Sequence, residues 1–154
     1  MSCVYYIGVT GVSFEAAHIT SSAESGEYGL HGHTYRVDVE ICSSELNDYH
    51  MVMDITVLKK IVSKIARELD HKLLLGGLQL EERIGEYPCV IFEDVPQVTM
   101  EALARYFVAR ISQELRSPQY ELIGKVCVTV WQGLNEYAKY CSSGKDRGLS
   151  TSSS

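Results

Sequence analysis

The chain has 154 residues and a mass of 17.2 kDa, which is the size of one ordinary domain. Its 45% hydrophobic and 22% charged residues are close to average globular usage, so the composition excludes intrinsic disorder and collagen-like structure. Fourteen Lys and Arg against twenty Asp and Glu give a net charge of −6, which argues against a nucleic-acid binder that needs a basic face.

The sequence carries no signal for a membrane or for secretion. Its longest nearly apolar stretch, residues 73–80, contains two glycines and is far shorter than the ~20 residues that span a bilayer. The N-terminus, Met-Ser-Cys-Val-Tyr-Tyr, lacks the basic and hydrophobic regions of a signal peptide. We therefore expect a cytoplasmic protein that binds neither nucleic acid nor membranes.

The five cysteines have an odd count and include no Cys-x-x-Cys pair, so neither a zinc ribbon nor a disulfide framework is predicted. We expect most of them to be buried thiols that behave as small hydrophobic residues. One disulfide stays open as an alternative if the source is a hyperthermophile.

The chain begins with a predicted strand over residues 4–18. Gly8 and Gly11 weaken this strand or mark a bulge in it, because glycine inside a strand adds backbone freedom and no packing. A loop rich in Ser, Gly and Glu is predicted to follow over residues 19–30.

The second predicted strand alternates apolar and polar residues over 35–41. Extending the same alternation backwards puts His33 and then His31 on the apolar face. The sequence therefore predicts two imidazoles that point to the same side of a half-buried strand.

Two helices are predicted in the middle of the chain. Asp54 can cap the first, whose apolar residues follow the 3.6-residue period, and the pair Gly76-Gly77 is expected to end it. Thr99 can cap the second, which Ser117-Pro118 ends. A short extended piece is predicted between the helices at residues 89–92.

The last predicted elements are two strands, residues 124–132 and 136–141, which a Gly-Leu-Asn turn joins. The whole order predicts an α+β fold with a four-stranded antiparallel sheet and both helices on one face. Residues 1–141 would form a single domain, and residues 142–154, rich in Ser and Gly, a disordered tail. The two open sheet edges favour edge-to-edge assembly into a ring.

Three histidines form the main candidate for chemistry. His31 and His33 lie on one strand face, and His18 arrives from the end of the preceding strand, so the three imidazoles are expected to converge. Three neutral histidines with an open fourth position are typical of catalytic zinc. The alternative is that these residues are hydrogen-bonded histidines of the core.

The chain resembles the 6-pyruvoyl-tetrahydropterin synthase and 6-carboxy-tetrahydropterin synthase family over most of its length. The motifs that carry the resemblance are Phe14-Glu15-Ala16-Ala17-His18, His31-Gly32-His33, Met51-Val52-Met53-Asp54, Leu69-Asp70-His71-Lys72-Leu73, Val98-Thr99-Met100-Glu101 and the hairpin from Val130 to Tyr140. The resemblance implies a tunnelling fold that assembles into a β-barrel ring, as a homohexamer of two trimers with active sites at subunit interfaces. It also implies a pterin substrate, 7,8-dihydroneopterin triphosphate.

The resemblance further implies roles for particular residues. Zinc would be held by His18, His31 and His33, the proton relay would contain Asp70 and His71, and the substrate pocket would be bordered by Thr99 and Glu101. As an alternative, Asp70 ends the helix and His71 satisfies its last carbonyl groups.

Two positions depart from the family pattern. Glu27 stands where the family has its catalytic cysteine, four residues before His31, and no cysteine lies between His18 and His31. Gln132 stands where the family has a glutamate that binds the pterin edge. Either Glu101 or Glu136 compensates for the lost charge, or the ligand presents a different edge, such as an acceptor where the pterin has a donor.

The glutamate changes the chemistry that the resemblance implies. A carboxylate is a weaker base than a thiolate, so Glu27 is suited to take a proton from a hydroxyl that zinc has acidified. This predicts side-chain cleavage to 6-hydroxymethyl-7,8-dihydropterin. The alternatives are a 6-pyruvoyl- or 6-carboxy-tetrahydropterin synthase, a non-catalytic oligomer that binds a pterin or purine-like ligand, and a protein in which the metal is only structural.

Overall fold

The computed structural model describes residues 2–22, 24, 28–142 and 151–153. Within these residues the chain forms a seven-stranded mixed sheet and two α-helices, so the predicted α+β class is confirmed. The strands are β1 (Tyr5–Ser21), β2 (Tyr28–Ser43), β3 (Lys72–Gly76), β4 (Cys89–Phe92), β5 (Ile123–Gln132), β6 (Glu136–Cys141) and β7 (Thr151–Ser153), and the helices are α1 (Ile55–Leu69) and α2 (Met100–Glu114). The strand order is β6-β5-β2-β1-β3-β4-β7. None of the helices in the described ranges is long and apolar enough to cross a membrane.

The long strands β1 and β2 pair antiparallel from end to end. Their register shifts between Val9 and Val12, where Gly11 has a φ of 75°, so a bulge lies where the glycines indicated one. Both strands run further into the predicted loop than expected, because Ser21 still pairs with Tyr28. This extension carries His18 and His31 inside the regular ladder.

Both helices begin where the capping residues predicted. The Asp54 side chain accepts a hydrogen bond from the Thr56 N–H at 2.8 Å, and the Thr99 hydroxyl accepts one from the Ala102 N–H at 3.2 Å. The helices pack their apolar faces on one side of the sheet in a single core that includes Tyr35. The polar faces of both helices remain exposed to solvent.

The predicted four-stranded antiparallel sheet is wrong in strand number and in direction, because β3 and β4 run parallel to β1. The first helix ends at Leu69 rather than at the glycine pair, and His71, with a φ of 56°, turns the chain into β3. Residues 73–75 are all buried. A short buried parallel strand is apolar on both faces, so its period does not distinguish it from a helix end.

The glycine pair after β3 allows a close backbone approach. A Cβ on Gly76 would lie 2.2 Å from the Pro96 carbonyl oxygen, and a Cβ on Gly77 would lie 2.7 Å from the Glu93 carbonyl oxygen. The Gly77 N–H donates to the Val95 carbonyl at 2.8 Å. These two residues therefore seat the segment before α2 against the end of β3.

The C-terminal region differs from the expected disordered tail at three residues. Thr151–Ser153 form β7, which pairs antiparallel with β4 and covers that edge of the sheet. Residues 143–150 and 154 lie outside the described residues.

Four of the five cysteines form disulfides, Cys3 with Cys42 and Cys127 with Cys141. The expectation that most cysteines are unpaired thiols therefore differs from the structure, and only Cys89 is buried without a disulfide. Cys127 and Cys141 lie directly opposite each other on β5 and β6. Sequence spacing did not show this pairing because it depends on the register of two strands.

Tyr35 gives a test of how a polar group is buried in the core. Its side chain is fully buried and stacks on Phe14 at 5.1 Å between ring centroids, and its hydroxyl has no hydrogen-bond partner in the described part of the chain. We expect Tyr35→Phe to leave the unfolding free energy of the metal-free protein unchanged or slightly higher, because no hydrogen bond is lost. Tyr106→Phe, which removes the hydroxyl that accepts from Arg110, should lower it by about 1–3 kcal/mol. Urea unfolding measures the free energy of unfolding of both variants. An equal decrease in the two variants would contradict the expectation.

Candidate metal centre

Three histidine side chains meet at one end of the helix-covered sheet face. His18 lies opposite His31 in the β1–β2 ladder, and Ala16, two residues earlier, lies opposite His33. The imidazole centroids are 4.5 Å apart for His18 and His31, 5.1 Å for His18 and His33, and 4.8 Å for His31 and His33. One nitrogen from each ring lies within 4.8 Å of the other two. The small side chain of Ala16 leaves the space in which the rings converge.

Backbone carbonyls fix the tautomer of two of these rings. His18 Nδ1 lies 2.7 Å from the Val98 carbonyl oxygen, and His31 Nδ1 lies 3.0 Å from the Gly29 carbonyl oxygen. A carbonyl can only accept a hydrogen bond, so each Nδ1 carries its hydrogen and each Nε2 presents a lone pair. The two Nε2 atoms are 2.9 Å apart. Two lone pairs at this distance repel each other, and a proton or a metal ion shared by the two nitrogens removes the repulsion.

The third ring adds an unpartnered nitrogen to the same place. His33 Nε2 is buried and makes no hydrogen bond within the described residues. Burial, with smaller effects from His31 and His33, lowers the pKa of His18 to about 4 against an opposing hydrogen bond to Val98. The pKa of His33 is also lowered, first by burial and then by His31, while the Glu136 carboxylate opposes the shift. Neutral imidazoles are the form that binds a metal ion.

The residues therefore fit a metal ion. Three neutral imidazole nitrogens around one point are the donor set of a catalytic zinc site, which keeps a further position open for a small molecule. The backbone bonds of His18 and His31 are the outer contacts that usually orient metal-binding histidines.

Asp70 and His71 form a side-chain hydrogen bond that their adjacency in sequence did not establish. His71 Nδ1 lies 3.0 Å from Asp70 Oδ2, and Asp70 Oδ1 accepts a hydrogen bond from the Glu15 N–H at 2.8 Å. The Glu15 N–H, followed by smaller effects that include His71, lowers the pKa of Asp70. The His71 N–H donates to the Glu15 carbonyl at 2.6 Å, so the turn that ends α1 is tied to β1.

A cleft of about 380 Å³ brings this pair near the triad. Its lining includes His71, Glu15, Gly32, His33 and Tyr87. His71 is 76% exposed, so its imidazole is accessible to a molecule in the cleft. His71 and one triad histidine, His33, thus line the same cleft.

Thr99 and Glu101 lie at the beginning of α2. The Thr99 hydroxyl is used as the helix cap, and Glu101 is exposed in the first turn. Val98, directly before them, is the residue whose carbonyl holds His18. The start of α2 is therefore joined to the triad through the main chain. Sequence reasoning missed Val98 because a backbone contact leaves no signal in side-chain type.

Gln132 and Glu136 face each other on β5 and β6. Gln132 also lies opposite Tyr35 on β2, and it therefore shares the sheet face of His33, two residues from Tyr35. The carboxylate of Glu136 is close enough to act on the charge of His33. Glu27 lies outside the described residues.

The sheet, the two helices on one face and the histidine cluster define an α+β protein of the tunnelling-fold class. The family model for 6-pyruvoyl tetrahydropterin synthase matches residues 7–143. The chain belongs to that family.

Individual relatives agree with this assignment. A 6-carboxy-5,6,7,8-tetrahydropterin synthase of Pyrococcus horikoshii, itself described as putative, is 36% identical over 82% of this chain and 83% of its own length. A dihydroneopterin monophosphate aldolase of Pyrococcus furiosus is 42% identical over 62 residues, which are 40% of this chain and 51% of that protein. The fold also matches a Plasmodium vivax 6-pyruvoyltetrahydropterin synthase in which a catalytic glutamate is changed to alanine, with a TM-score of 0.74 and 19% identity over 90% of this chain and 97% of the other.

Removing the metal ion should leave the fold intact. The triad lies at one end of the sheet, whereas the core between the sheet and the helices is formed by apolar side chains. A domain of this size buries enough apolar surface to fold without a metal. We expect chelation to lower the melting temperature while the far-UV circular dichroism spectrum below the transition stays the same. Loss of that spectrum on chelation would indicate a structural metal instead.

Proposed function

We propose that this chain is a zinc-dependent lyase that acts on 7,8-dihydroneopterin triphosphate or a related reduced pterin and releases 6-hydroxymethyl-7,8-dihydropterin. The observation that carries the proposal is the pair of Nε2 lone pairs held 2.9 Å apart by backbone carbonyls, beside the unpartnered nitrogen of His33. Membership of a family of pterin-pathway enzymes supports the class of substrate.

His18, His31 and His33 would hold the zinc ion. When bound there, zinc would polarise the side-chain hydroxyls of the substrate and lower their pKa. Glu27 then takes the proton of the 2′-hydroxyl as general base. The C1′–C2′ bond breaks, and C2′ and C3′ leave as a phosphorylated two-carbon aldehyde. The electron pair of the broken bond stays with C1′ and is delocalised into the C6=N5 imine of the ring. A proton delivered through Asp70 and His71 to C1′ completes the product.

Two findings support a carboxylate in this role. The chain has no cysteine between His18 and His31, so the thiol of the family pattern is missing. A catalytic glutamate is described for the Plasmodium vivax protein, so a protein of the same fold has a glutamate as a catalytic residue. The local match to a dihydroneopterin monophosphate aldolase supports cleavage of a carbon–carbon bond and allows a monophosphate as the substrate.

The ring of the substrate would lie between the beginning of α2 and the β5–β6 hairpin. Thr99 and Glu101 border it on one side, and Gln132 on the other. Glu136, which already acts on the charge of His33, is the carboxylate best placed to compensate for the neutral Gln132. The enzyme would work in the cytoplasm as a homohexamer of two trimers, with active sites at subunit interfaces.

A second candidate is a 6-carboxy-tetrahydropterin synthase, because relatives that match most of this chain bear that description. In that case another group would replace the thiol. A third candidate is an oligomer that keeps the zinc and the pterin pocket without turnover. Incubating the zinc-loaded protein with dihydroneopterin triphosphate or monophosphate and identifying the product by mass distinguishes all three.

Glu27→Gln tests the general base. The amide cannot accept the hydroxyl proton, so we expect product formation to fall about 10²–10⁴-fold while zinc content stays at one ion per chain. Glu24→Gln is the matched control, because Glu24 is an exposed carboxylate on the same connection, and its rate should equal that of the unmodified protein. Equal rates for Glu27→Gln and the unmodified protein would remove Glu27 from the mechanism.

Gln132→Glu tests how the pterin edge is recognised. A carboxylate accepts from both the ring N–H and the 2-amino group, so affinity for an oxidised pterin should rise, by up to a hundredfold, if the ligand is an ordinary pterin. Because Glu136 lies directly opposite, the double variant Gln132→Glu with Glu136→Gln separates the new contact from repulsion between two carboxylates. Fluorescence titration measures the affinity, and weaker binding in both variants would point to a different ring.

A further inference from the structure

Gln97 makes a two-way contact with the main chain of β1. The Ser21 N–H donates to Gln97 Oε1 at 2.9 Å, and Gln97 Nε2 donates to the Ser21 carbonyl at 3.2 Å. The Ser21 hydroxyl also donates to Oε1, at 3.4 Å. The primary amide therefore pairs with one residue of β1 in the way that a neighbouring strand would.

The residue after Gln97 is the one that holds a triad histidine. His18 Nδ1 donates to the Val98 carbonyl, and His18 is three residues from Ser21 on β1. Two adjacent residues of the segment before α2 thus bind two nearby residues of the same strand. The segment before α2 is therefore joined to β1 at two points. One is the contact of the Gln97 amide with Ser21, and the other is the hydrogen bond of His18 to the Val98 carbonyl.

The other side of this segment is already fixed. Gly77 donates to the Val95 carbonyl, and Gly76 approaches the Pro96 carbonyl so closely that no side chain fits between them. The segment is therefore held between the end of β3 and the end of β1. Gln97 supplies the side-chain contact on the β1 side, next to the Val98 carbonyl that orients the His18 ring.

We propose that Gln97 is a positioning residue for the metal centre: its amide keeps the Val98 carbonyl where it orients the His18 ring, with Nε2 toward the ion. This inference rests on the proposed metal centre and adds a residue that does not touch the ion or the substrate. Outer contacts of metal-binding histidines affect metal affinity because they fix both tautomer and ring orientation.

Gln97→Ala is the test, with metal binding as the readout. We expect the zinc dissociation constant to rise about tenfold or more, and the visible absorption spectrum of the Co²⁺-substituted protein to change as the His18 ring loses its fixed orientation. Gln97→Glu keeps the acceptor for the Ser21 N–H and loses the donor, so its zinc affinity should lie between those of Gln97→Ala and the unmodified protein.

Gln79→Ala is the matched control. Gln79 donates to the Ile19 carbonyl at 2.7 Å and accepts from the Gly76 N–H at 2.9 Å, so this variant loses one amide hydrogen bond to β1 and one to the end of β3. It should lower the melting temperature of the metal-free protein about as much as Gln97→Ala, yet keep the zinc affinity and the Co²⁺ spectrum of the unmodified protein.

The inference is overturned if Gln97→Ala binds zinc within about twofold of the unmodified protein with the same Co²⁺ spectrum. It is also overturned if Gln79→Ala weakens zinc binding equally, because the effect is then a general loosening. If the unmodified protein does not bind zinc at all, the proposed function fails together with this inference. If that protein binds zinc and cleaves the pterin, a negative result for Gln97→Ala removes the inference alone.

Discussion

The hydrogen bonds from His18 and His31 to backbone carbonyls determine what this site can be. Each bond places a hydrogen on Nδ1 and leaves a lone pair on Nε2, and the fold then brings those two lone pairs to 2.9 Å. In an apolar core such a repulsive contact needs an attractive interaction that compensates for it. A cation shared by the two nitrogens removes this repulsion, and the third, unpartnered nitrogen of His33 beside them favours a metal ion over a shared proton.

The strands of the sheet position the three histidines and the Val98 carbonyl. The β1–β2 ladder supplies all three histidines, and Ala16 provides the space between them. The parallel strand β3 lies next to β1 only from Ala16 to His18, and it extends the sheet at that end. Beyond β3, the close approach at Gly76 seats the segment that carries Val98. A strand that sequence reasoning read as part of a helix therefore helps to position the site.

Much of the candidate site follows from local patterns. The alternation around Tyr35 put His31 and His33 on one face, and the structure brings both to His18. The capping residues Asp54 and Thr99 marked where both helices begin, because a cap acts within a few residues of its own position. The family membership that the motifs indicated is confirmed by the match over residues 7–143.

The sequence by itself determined the α+β class, the first residues of both helices, and the alternation that puts His31 and His33 on the same face of their strand. These features depend on residues that are neighbours along the chain, so short-range periodicity and capping chemistry are enough to reveal them. Only the tertiary structure decided the parallel direction of β3, the pairing of Cys127 with Cys141, the Asp70–His71 hydrogen bond and the Val98 carbonyl behind His18. Each of these depends on how distant or differently oriented groups meet in space, and residue type and spacing carry no record of that.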